Sequence, residues 1–374
     1  MTKKIIVLGA TGSVGSQALE VIKENKNLEL IGISFHRNSD KASQIIHDFP
    51  ELKFVIISDI SYEIYGIKNY HLEDLENLID KYSPDIVVNA ITGVHGIEAT
   101  MCVLKKKTKL CLANKESILL AGHIISSKYP AAFGKKIFPI DSEITALNQC
   151  LANRAKKEIN YAYITMSGGA LRNKTYEELN NVTIEDALKH PTWVMGKKIT
   201  IDSASLVNKI FEVIETHYYF DLTLDKIIVL LHYNSFMHAA IQFRDGSLVL
   251  SCYYPSMKIS IAQAIQENYD AKTIDTTLPS LTNNTKIEFL PSNEYQKFAL
   301  SLLDLIKQNP LLSIPLAILD DIYVDKFLNK EISFLDIINN LHFELKKYLY
   351  LKFDEVDTLE KVLSFINRIK EQKY

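Results

Sequence analysis

Glycine is scarce in this chain, with 13 among 374 residues, about half the share that is usual in soluble proteins. The four cysteines show no C-x-x-C spacing, so we expect free thiols rather than disulfides or a zinc site. No run of roughly 18 uncharged apolar residues is present, and the N-terminus has no signal-peptide pattern. A net charge of −3 gives no basic field for nucleic acid or an anionic membrane. These absences favour a folded cytoplasmic protein that binds neither nucleic acid nor a membrane.

The first 125 residues alternate strand and helix signals. Continuous apolar runs at 4–9, 28–34, 86–91 and 109–112 are separated by segments with helical spacing, such as 16–24. Apolar runs without alternation are typical of strands that are buried on both faces, and strands spaced by helices predict βαβ units. The sequence therefore predicts an α/β fold that begins with a Rossmann-type parallel sheet.

The remainder of the chain has a different texture. Strand patterns at 161–167, 226–232 and 247–254 and a helical pattern at 206–219 predict an α+β domain. A polar segment rich in Thr and Asn separates it from continuous helical patterns. We therefore expect a nucleotide-binding domain at 1–140, a catalytic domain at 141–270, a linker at 271–294 and a helical bundle at 295–374.

The sharpest local signal is a glycine motif that follows the first apolar run and opens a helix. It consists of Gly9, Ala10, Thr11, Gly12, Ser13, Val14 and Gly15. In a dinucleotide site such glycines allow a tight turn, a close backbone approach to the pyrophosphate and packing of helix on strand. A plain strand–helix turn is the alternative, but three glycines at this spacing in a glycine-poor chain favour nucleotide binding.

The end of the second apolar run bears on which nucleotide binds. NAD sites place a carboxylate about 20 residues after the motif, where it binds the ribose 2′-hydroxyl. Here the segment is His36-Arg37-Asn38, which offers a cation and no carboxylate. A cation favours a 2′-phosphate, so the sequence predicts NADPH, although Arg37 could also be a solvated loop residue.

Three further segments carry polar groups suited to a metal or a phosphate. They are Ala113–Ser117, the acidic pair Asp141 and Glu143, and the helical pair Glu212 and Glu215 near Ser203, Asn208 and Lys209. Oxygen ligands of this kind favour Mg²⁺ or Mn²⁺ over zinc. A capping loop and a solvated helix face remain the alternatives for these segments.

A Pro- and Gly-bracketed loop at 190–196 contains the single tryptophan, Trp193. A large aromatic residue in such a loop is typical of a segment that closes over a ligand. A tryptophan buried in the core is the alternative.

These motifs in this order resemble one family, 1-deoxy-D-xylulose 5-phosphate reductoisomerase, from residue 4 to about residue 246. The motifs that carry the resemblance are G-A-T-G-S-V-G, L-A-N-K-E-S, D-S-E, S-G-G, H-P-T-W-V-M-G-K-K-I-T-I-D-S-A-S and N-K-I-F-E-V-I-E. The resemblance implies an oxidoreductase that rearranges 1-deoxy-D-xylulose 5-phosphate and reduces it with NADPH to 2-C-methyl-D-erythritol 4-phosphate. It further implies one Mg²⁺ or Mn²⁺ ion, a role in isoprenoid biosynthesis and a homodimer.

The family pattern also implies roles for individual residues. The implied metal ligands are Asp141, Glu143 and Glu215, and the implied catalytic residues are Lys115, Glu143, His190 and Glu212. The implied substrate contacts are Lys115, Ser142, Glu143, Ser167, His190, Trp193, Met195, Ser203, Asn208, Lys209 and Glu212. The implied cofactor contacts are Gly9, Thr11, Gly12, Ser13, Val14, Gly15, His36, Arg37, Asn38, Asn114, Glu116 and Gly196.

Two other functions remain open at this stage. A different Rossmann-fold reductase that acts on semialdehydes would need a cysteine nucleophile, for which Cys150 is the candidate. A protein that only senses nucleotides would keep the glycine motif but would have no use for the carboxylates and the phosphate-binding residues.

Overall fold

The computed structural model describes residues 2–59, 61–193, 195–266 and 286–373. Within these residues the strands are β1 (Lys3–Leu8), β2 (Leu28–Phe35), β3 (Phe54–Ile57), β4 (Lys68–Tyr70), β5 (Ile86–Asn89), β6 (Lys109–Leu112), β7 (Ile137–Pro139), β8 (Ile159–Met166), β9 (Ile227–Leu231), β10 (Met237–Phe243) and β11 (Leu248–Cys252). The helices are α1 (Ser13–Lys23), α2 (Ser39–Asp48), α3 (Leu75–Tyr82), α4 (Gly96–Leu104), α5 (Glu116–Lys128), α6 (Ser142–Leu151), α7 (Ile184–Ala187), α8 (Lys197–Ser205), α9 (Val207–Phe220), α10 (Met257–Ile265), α11 (Glu294–Leu300), α12 (Leu302–Gln308), α13 (Ser313–Leu328), α14 (Phe334–Leu345) and α15 (Leu359–Lys373).

The chain divides into two compact units. Unit 1 takes its described residues from 2–117, 130–145 and 256–266, and it contains a parallel sheet in the order β4-β3-β2-β1-β5-β6-β7. The first residues of the central strand β1 are charged, but Ile5, Ile6, Val7 and Leu8 are fully buried. The strand order reverses at β1, where open α/β sheets form a ligand crevice at the carboxyl ends of the strands.

Unit 2 takes its described residues from 118–129, 146–255 and 286–373. Its sheet has the order β11-β10-β8-β9, in which β8 and β9 are parallel and the other neighbours are antiparallel. Helix α13 is apolar on nearly every side and forms the centre of the helical region, against which α14 and α15 pack. None of the helices in the described ranges is long and apolar enough to cross a membrane.

The α/β class with a C-terminal helical region is confirmed, whereas several local predictions differ. Strand β10 was not predicted; it lies between the strand patterns at 226–232 and 247–254. The helical bundle predicted at 295–374 begins with two short helices, α11 and α12, that meet at Ser301. Most of the predicted linker lies outside the described residues, because none of 267–285 is described. The division into four functional stretches stays a prediction.

Candidate functional site

The glycine motif has the close approaches that a dinucleotide loop requires. Gly9 has a φ of +75°, and a Cβ atom at Gly15 would lie 2.2 Å from the Gly9 carbonyl oxygen. Gly12 precedes α1 without a side-chain cap, so the first backbone N–H groups of this helix remain available to an anion. This loop therefore fits the pyrophosphate of a dinucleotide.

The adjacent end of β2 carries the residues predicted to choose the nucleotide. Arg37 is exposed, and its Nε donates to Asp59 Oδ2 at 2.9 Å. This hydrogen bond and the Asp59 charge raise the Arg37 pKa, and hydrogen bonds from Ser61 and Arg37 lower that of Asp59. The carboxyl end of β2 has no carboxylate of its own, but Asp59, which follows β3, places one beside Arg37. Sequence reasoning missed Asp59 because it is distant from Arg37 in the chain.

His36 is exposed, and Asn38 caps α2 by accepting the backbone N–H of Lys41 at 3.1 Å. Ser34, near the end of β2, is buried and accepts the Gly9 N–H at 2.8 Å. Ser34 thus shapes the glycine loop rather than facing a ligand.

Asn114 and Glu116, predicted to contact the cofactor, fix the loop after β5. The Asn114 amide donates to the Gly93 carbonyl at 2.9 Å and to Glu116 Oε2 at 2.8 Å. Glu116 Oε1 accepts the Gly93 N–H at 3.1 Å. These bonds show that the two side chains position the backbone at the carboxyl edge of the sheet.

Four predicted residues converge within unit 1 at the start of α6. Lys115 Nζ lies 3.0 Å from Asp141 Oδ2, and both side chains are largely buried. Asp141 Oδ1 accepts the Glu143 N–H at 3.2 Å, and the two carboxylates present oxygens within 4.8 Å of each other. Ser142 donates to Glu143 Oε2 at 2.5 Å. Two carboxylates so close together favour a shared cation.

A second cluster lies within unit 2 at the junction of α8 and α9. Leu206 joins the helices with a φ of +67°, a conformation that costs roughly 1–2 kcal/mol for a residue with a side chain. The first turn of α9 then directs Asn208 Nδ2 to Glu212 Oε1 at 2.5 Å and Lys209 Nζ to Glu212 Oε2. Lys209 and Glu212 are both buried, so each charge offsets the desolvation of the other.

Two further members of the predicted set lie on the same two helices of unit 2. Ser203 is half-buried on α8, and Glu215 is buried one turn beyond Glu212 on α9.

His190 connects the end of β8 with the tryptophan loop. Its Nε2 lies 3.4 Å from Ser167 Oγ, and its Nδ1 accepts the backbone N–H groups of Thr192 at 3.3 Å and Trp193 at 2.9 Å. Burial, aided by the charge of Arg172, lowers the His190 pKa to about 4. The hydrogen-bond pattern therefore assigns a neutral imidazole with its proton on Nε2.

The loop that follows is more open. Trp193 and Met195 are half-buried, and Gly196 is exposed. The Trp193 ring meets the His238 ring edge-on, with 6.3 Å between centroids. A fully buried core tryptophan is therefore not what the structure shows, and closure of the loop stays a prediction.

Cys150, the nucleophile that a semialdehyde reductase would need, is unsuited to that role. Its side chain is buried, and desolvation raises the pKa of the thiol to about 12. A thiol with this pKa carries almost no thiolate at neutral pH. All four cysteines are free, as the sequence predicted.

The parallel sheet with its glycine loop, joined in the same chain to paired carboxylates and buried polar clusters, defines a dinucleotide-binding enzyme of the α/β class. A family profile described as 1-deoxy-D-xylulose 5-phosphate reductoisomerase matches residues 5–122, and the profile for its C-terminal domain matches residues 137–220. The chain belongs to the 1-deoxy-D-xylulose 5-phosphate reductoisomerase family.

Relatives and solved structures support this assignment over the full chain. The reductoisomerase of Clostridium tetani is 37% identical over 100% of both chains, and that of Bacillus subtilis is 41% identical over 70% of this chain and 71% of its own. The reductoisomerase structure from Zymomonas mobilis, in complex with NADPH, has a TM-score of 0.88, 27% identity and coverage of 100% of this chain and 98% of its own. A reductoisomerase in complex with NADPH, fosmidomycin and magnesium has a TM-score of 0.87, 27% identity and coverage of 99% and 97%.

Proposed function

We propose that this protein converts 1-deoxy-D-xylulose 5-phosphate to 2-C-methyl-D-erythritol 4-phosphate with NADPH and a divalent cation, as a step of isoprenoid biosynthesis. The observation that carries the proposal is family membership, with 37% identity to a reductoisomerase over the full length of both chains. The high pKa of Cys150 disfavours a semialdehyde reductase. The carboxylate and polar clusters disfavour a protein that only senses nucleotides.

NADPH would be held by the glycine loop and by the residues at the ends of β2 and β6. The uncapped N-terminus of α1 and the close approach at Gly15 fit its pyrophosphate. When bound, NADPH supplies the hydride for the reduction. Asn114 and Glu116, which are locked by their bonds to Gly93, keep the loops beside it in a fixed geometry.

Asp141 and Glu143 would hold the cation, since their carboxylates present oxygens within 4.8 Å of each other at the start of α6. The family resemblance implies Glu215 as a third ligand, and Glu212, one turn earlier on α9, is the other acidic candidate. Glu212 also accepts bonds from Asn208 and Lys209, residues expected at the substrate, so α9 presents Glu212 with the substrate-binding residues. A bound Mg²⁺ or Mn²⁺ polarises the carbonyl and stabilises charge that develops on substrate oxygens.

The remaining predicted site residues would bind and orient the sugar phosphate. Ser167, Ser203, Asn208 and Lys209 offer hydroxyl, amide and ammonium donors for the phosphate end, and binding there would help to position the reacting carbons. Neutral His190 would donate from Nε2 without adding charge. Lys115, paired with Asp141, would place a positive charge near the substrate oxygens.

The activity is tested by the consumption of NADPH with the purified protein, 1-deoxy-D-xylulose 5-phosphate and Mg²⁺. We expect oxidation that requires both the sugar phosphate and the cation, stops on chelation and returns when Mg²⁺ or Mn²⁺ is added. Absence of the methylerythritol phosphate product under these conditions would refute the proposal.

The third metal ligand is tested by a matched pair of substitutions on one helix. Glu212→Gln should abolish the dependence of turnover on the Mg²⁺ concentration or shift it by at least about tenfold, because it removes a charged ligand. Glu215→Gln should change folding stability more than it changes the metal requirement. The opposite pattern would return the ligand to Glu215.

We further propose a homodimer that pairs through β11. This strand is an edge of its sheet, and it exposes Leu248, Val249 and Leu250 in succession. Exposed apolar side chains beside unpaired backbone groups favour the addition of another strand, here from a second copy. Leu250→Lys should yield a monomer by light scattering, whereas Tyr65→Lys, at a side chain that is 90% exposed in unit 1, should leave the assembly unchanged.

The four free thiols also fit a reducing compartment, so we propose a cytoplasmic location. Fractionation of cells that produce the protein tests this location, and recovery outside the cytoplasm would contradict it.

A further inference from the structure

Lys41 is a cation beside the glycine loop that the sequence motifs do not identify. It is the third residue of α2, whose N-cap is Asn38, and its Nζ donates to the Thr11 carbonyl at 2.9 Å and to Ser16 Oγ at 2.6 Å. These bonds tie the first turn of α2 to the loop and first turn of α1. The ammonium group therefore lies between the glycine loop, which is expected to hold the pyrophosphate, and the segment after β2, which is expected to contact the adenosine ribose.

The position of this charge is unfavourable without an anion. The N-terminal turns of helices carry partial positive charge, and a lysine there is disfavoured by up to about 1 kcal/mol. Within the described residues no carboxylate lies within 4.0 Å of Lys41 Nζ, and the neighbouring Asp40 is exposed without pairing to it. Lys41 and the two helix N-termini thus form a net positive region.

Arg37, the cation identified from the sequence, differs from Lys41 because it has a carboxylate partner. Its guanidinium is paired with Asp59, which also accepts hydrogen bonds from Ser61. A 2′-phosphate that engaged Arg37 would have to compete with this carboxylate or share the cation with it. Lys41 carries no such competitor, and its two acceptors leave one of the three ammonium donors for a ligand.

We infer that Lys41 recognises the 2′-phosphate of NADPH and is the main determinant of preference for NADPH over NADH. This inference rests on the proposed function. The 2′-phosphate is the expected partner because Lys41 lies in the first turn of α2, directly after β2, where Rossmann folds bind the ribose 2′ position. The pyrophosphate is already served by the backbone N–H groups at the start of α1.

Calorimetric binding of NADP⁺ and NAD⁺ to the intact protein without substrate tests this assignment. Lys41→Met should weaken NADP⁺ about 10- to 100-fold, the range for a charge-assisted hydrogen bond, and should leave NAD⁺ affinity unchanged. Lys41→Arg should retain most of the preference. Lys23→Met removes the same charge at the last turn of α1 and should change neither affinity, which makes it the matched control.

Two further measurements separate recognition from folding. Lys41→Gln keeps a donor for Thr11 or Ser16 without the charge, so it should lose NADP⁺ affinity even if Lys41→Met unfolds. The loss should shrink with added salt because it is electrostatic.

The outcomes distinguish this inference from the proposed function. Equal weakening of NADP⁺ and NAD⁺, or wild-type affinity for NADP⁺ in both neutral variants, would overturn the role of Lys41 alone. A wild-type protein that binds neither nucleotide would overturn the proposed function and this inference together.

Discussion

For Trp193, a role in a loop that closes over the substrate and a role in the core predict opposite effects of substitution. Its side chain is half-buried, its ring meets His238 edge-on at 6.3 Å, and its backbone N–H binds His190. Truncation to alanine keeps the backbone bond and removes only the ring. The change therefore isolates the contribution of the indole.

The expected cost to stability follows from this partial burial. A fully buried Trp or Phe loses about 3–5 kcal/mol on truncation to alanine, and half-burial reduces this to about 1.5–2.5 kcal/mol, including the aromatic pair. A loss of that size lowers the melting temperature of a unit this large by about 3–10 °C. Turnover should fall much further, by roughly 100-fold, if the ring closes over the substrate and positions it.

Intrinsic fluorescence provides the assay, because Trp193 is the single tryptophan of the chain. The sugar phosphate or a phosphonate analogue should shift its emission towards the blue as the indole leaves water. Trp193→Phe serves as the control, since it should be silent in emission while it restores part of the turnover. An emission spectrum insensitive to ligand, together with unfolding of Trp193→Ala, would refute the lid and leave a structural residue.

Three further substitutions test other parts of the structure. His190→Gln should reduce the increase in unfolding free energy between about pH 4 and pH 6.5, because the lowered His190 pKa makes the folded state bind fewer protons than the unfolded state in this range. Urea titrations across this range measure the increase, and an unchanged slope of unfolding free energy against pH would contradict the prediction. Gly15→Ala should abolish NADP⁺ binding in calorimetry, because the added Cβ would lie 2.2 Å from a backbone oxygen; normal binding would show that the loop can yield. Lys198→Met should cost more stability at pH 8 than at pH 5, because it leaves the carboxylates of Asp202 and Asp320 without their cation and protonation of these carboxylates at low pH relieves the loss. Equal shifts of the unfolding midpoint at both pH values would contradict this prediction.

The pKa of one buried carboxyl in this cluster is raised although Lys198 acts to lower it. Burial raises the Asp202 pKa, and the neighbouring Asp320 charge raises it further. The raised pKa means that the folded state holds a proton that the unfolded state releases first, so this group stabilises the fold at low pH and loses that contribution as the pH rises.

The sheet of unit 1 could be predicted because its signals are local. The strand at 109–112 was predicted with the bounds it has, and the glycine motif was placed correctly between β1 and α1. One sequence is enough to find strands that are buried on both faces and glycines that need a particular conformation, because each of these features involves only residues that are close together in the chain.

Contacts between distant segments could not be predicted in this way. Asp59 reaches Arg37 across 22 positions and Lys41 reaches Thr11 across 30, and neither spacing has a sequence signature. The choice between Glu212 and Glu215 also depends on side-chain direction, because residues three apart share a helix face. The resemblance to a family implies a metal ligand on α9, and the choice of Glu215 over Glu212 stays a prediction.

Unit 1 is built from stretches that are separate in the chain, and this has a consequence for its folding during synthesis. Helix α10, at Met257–Ile265, packs on α1; Lys258 Nζ lies 2.8 Å from Glu20 Oε2, and Cys111 Sγ donates to the Ala264 carbonyl at 3.0 Å. The nascent chain therefore emerges with its first seven strands complete but with one surface of α1 uncovered until residue 265 has left the ribosome. A fragment that stops at residue 150 would keep that surface exposed, so nucleotide-binding pieces of this protein should aggregate unless α10 is supplied in the same molecule or added as a peptide.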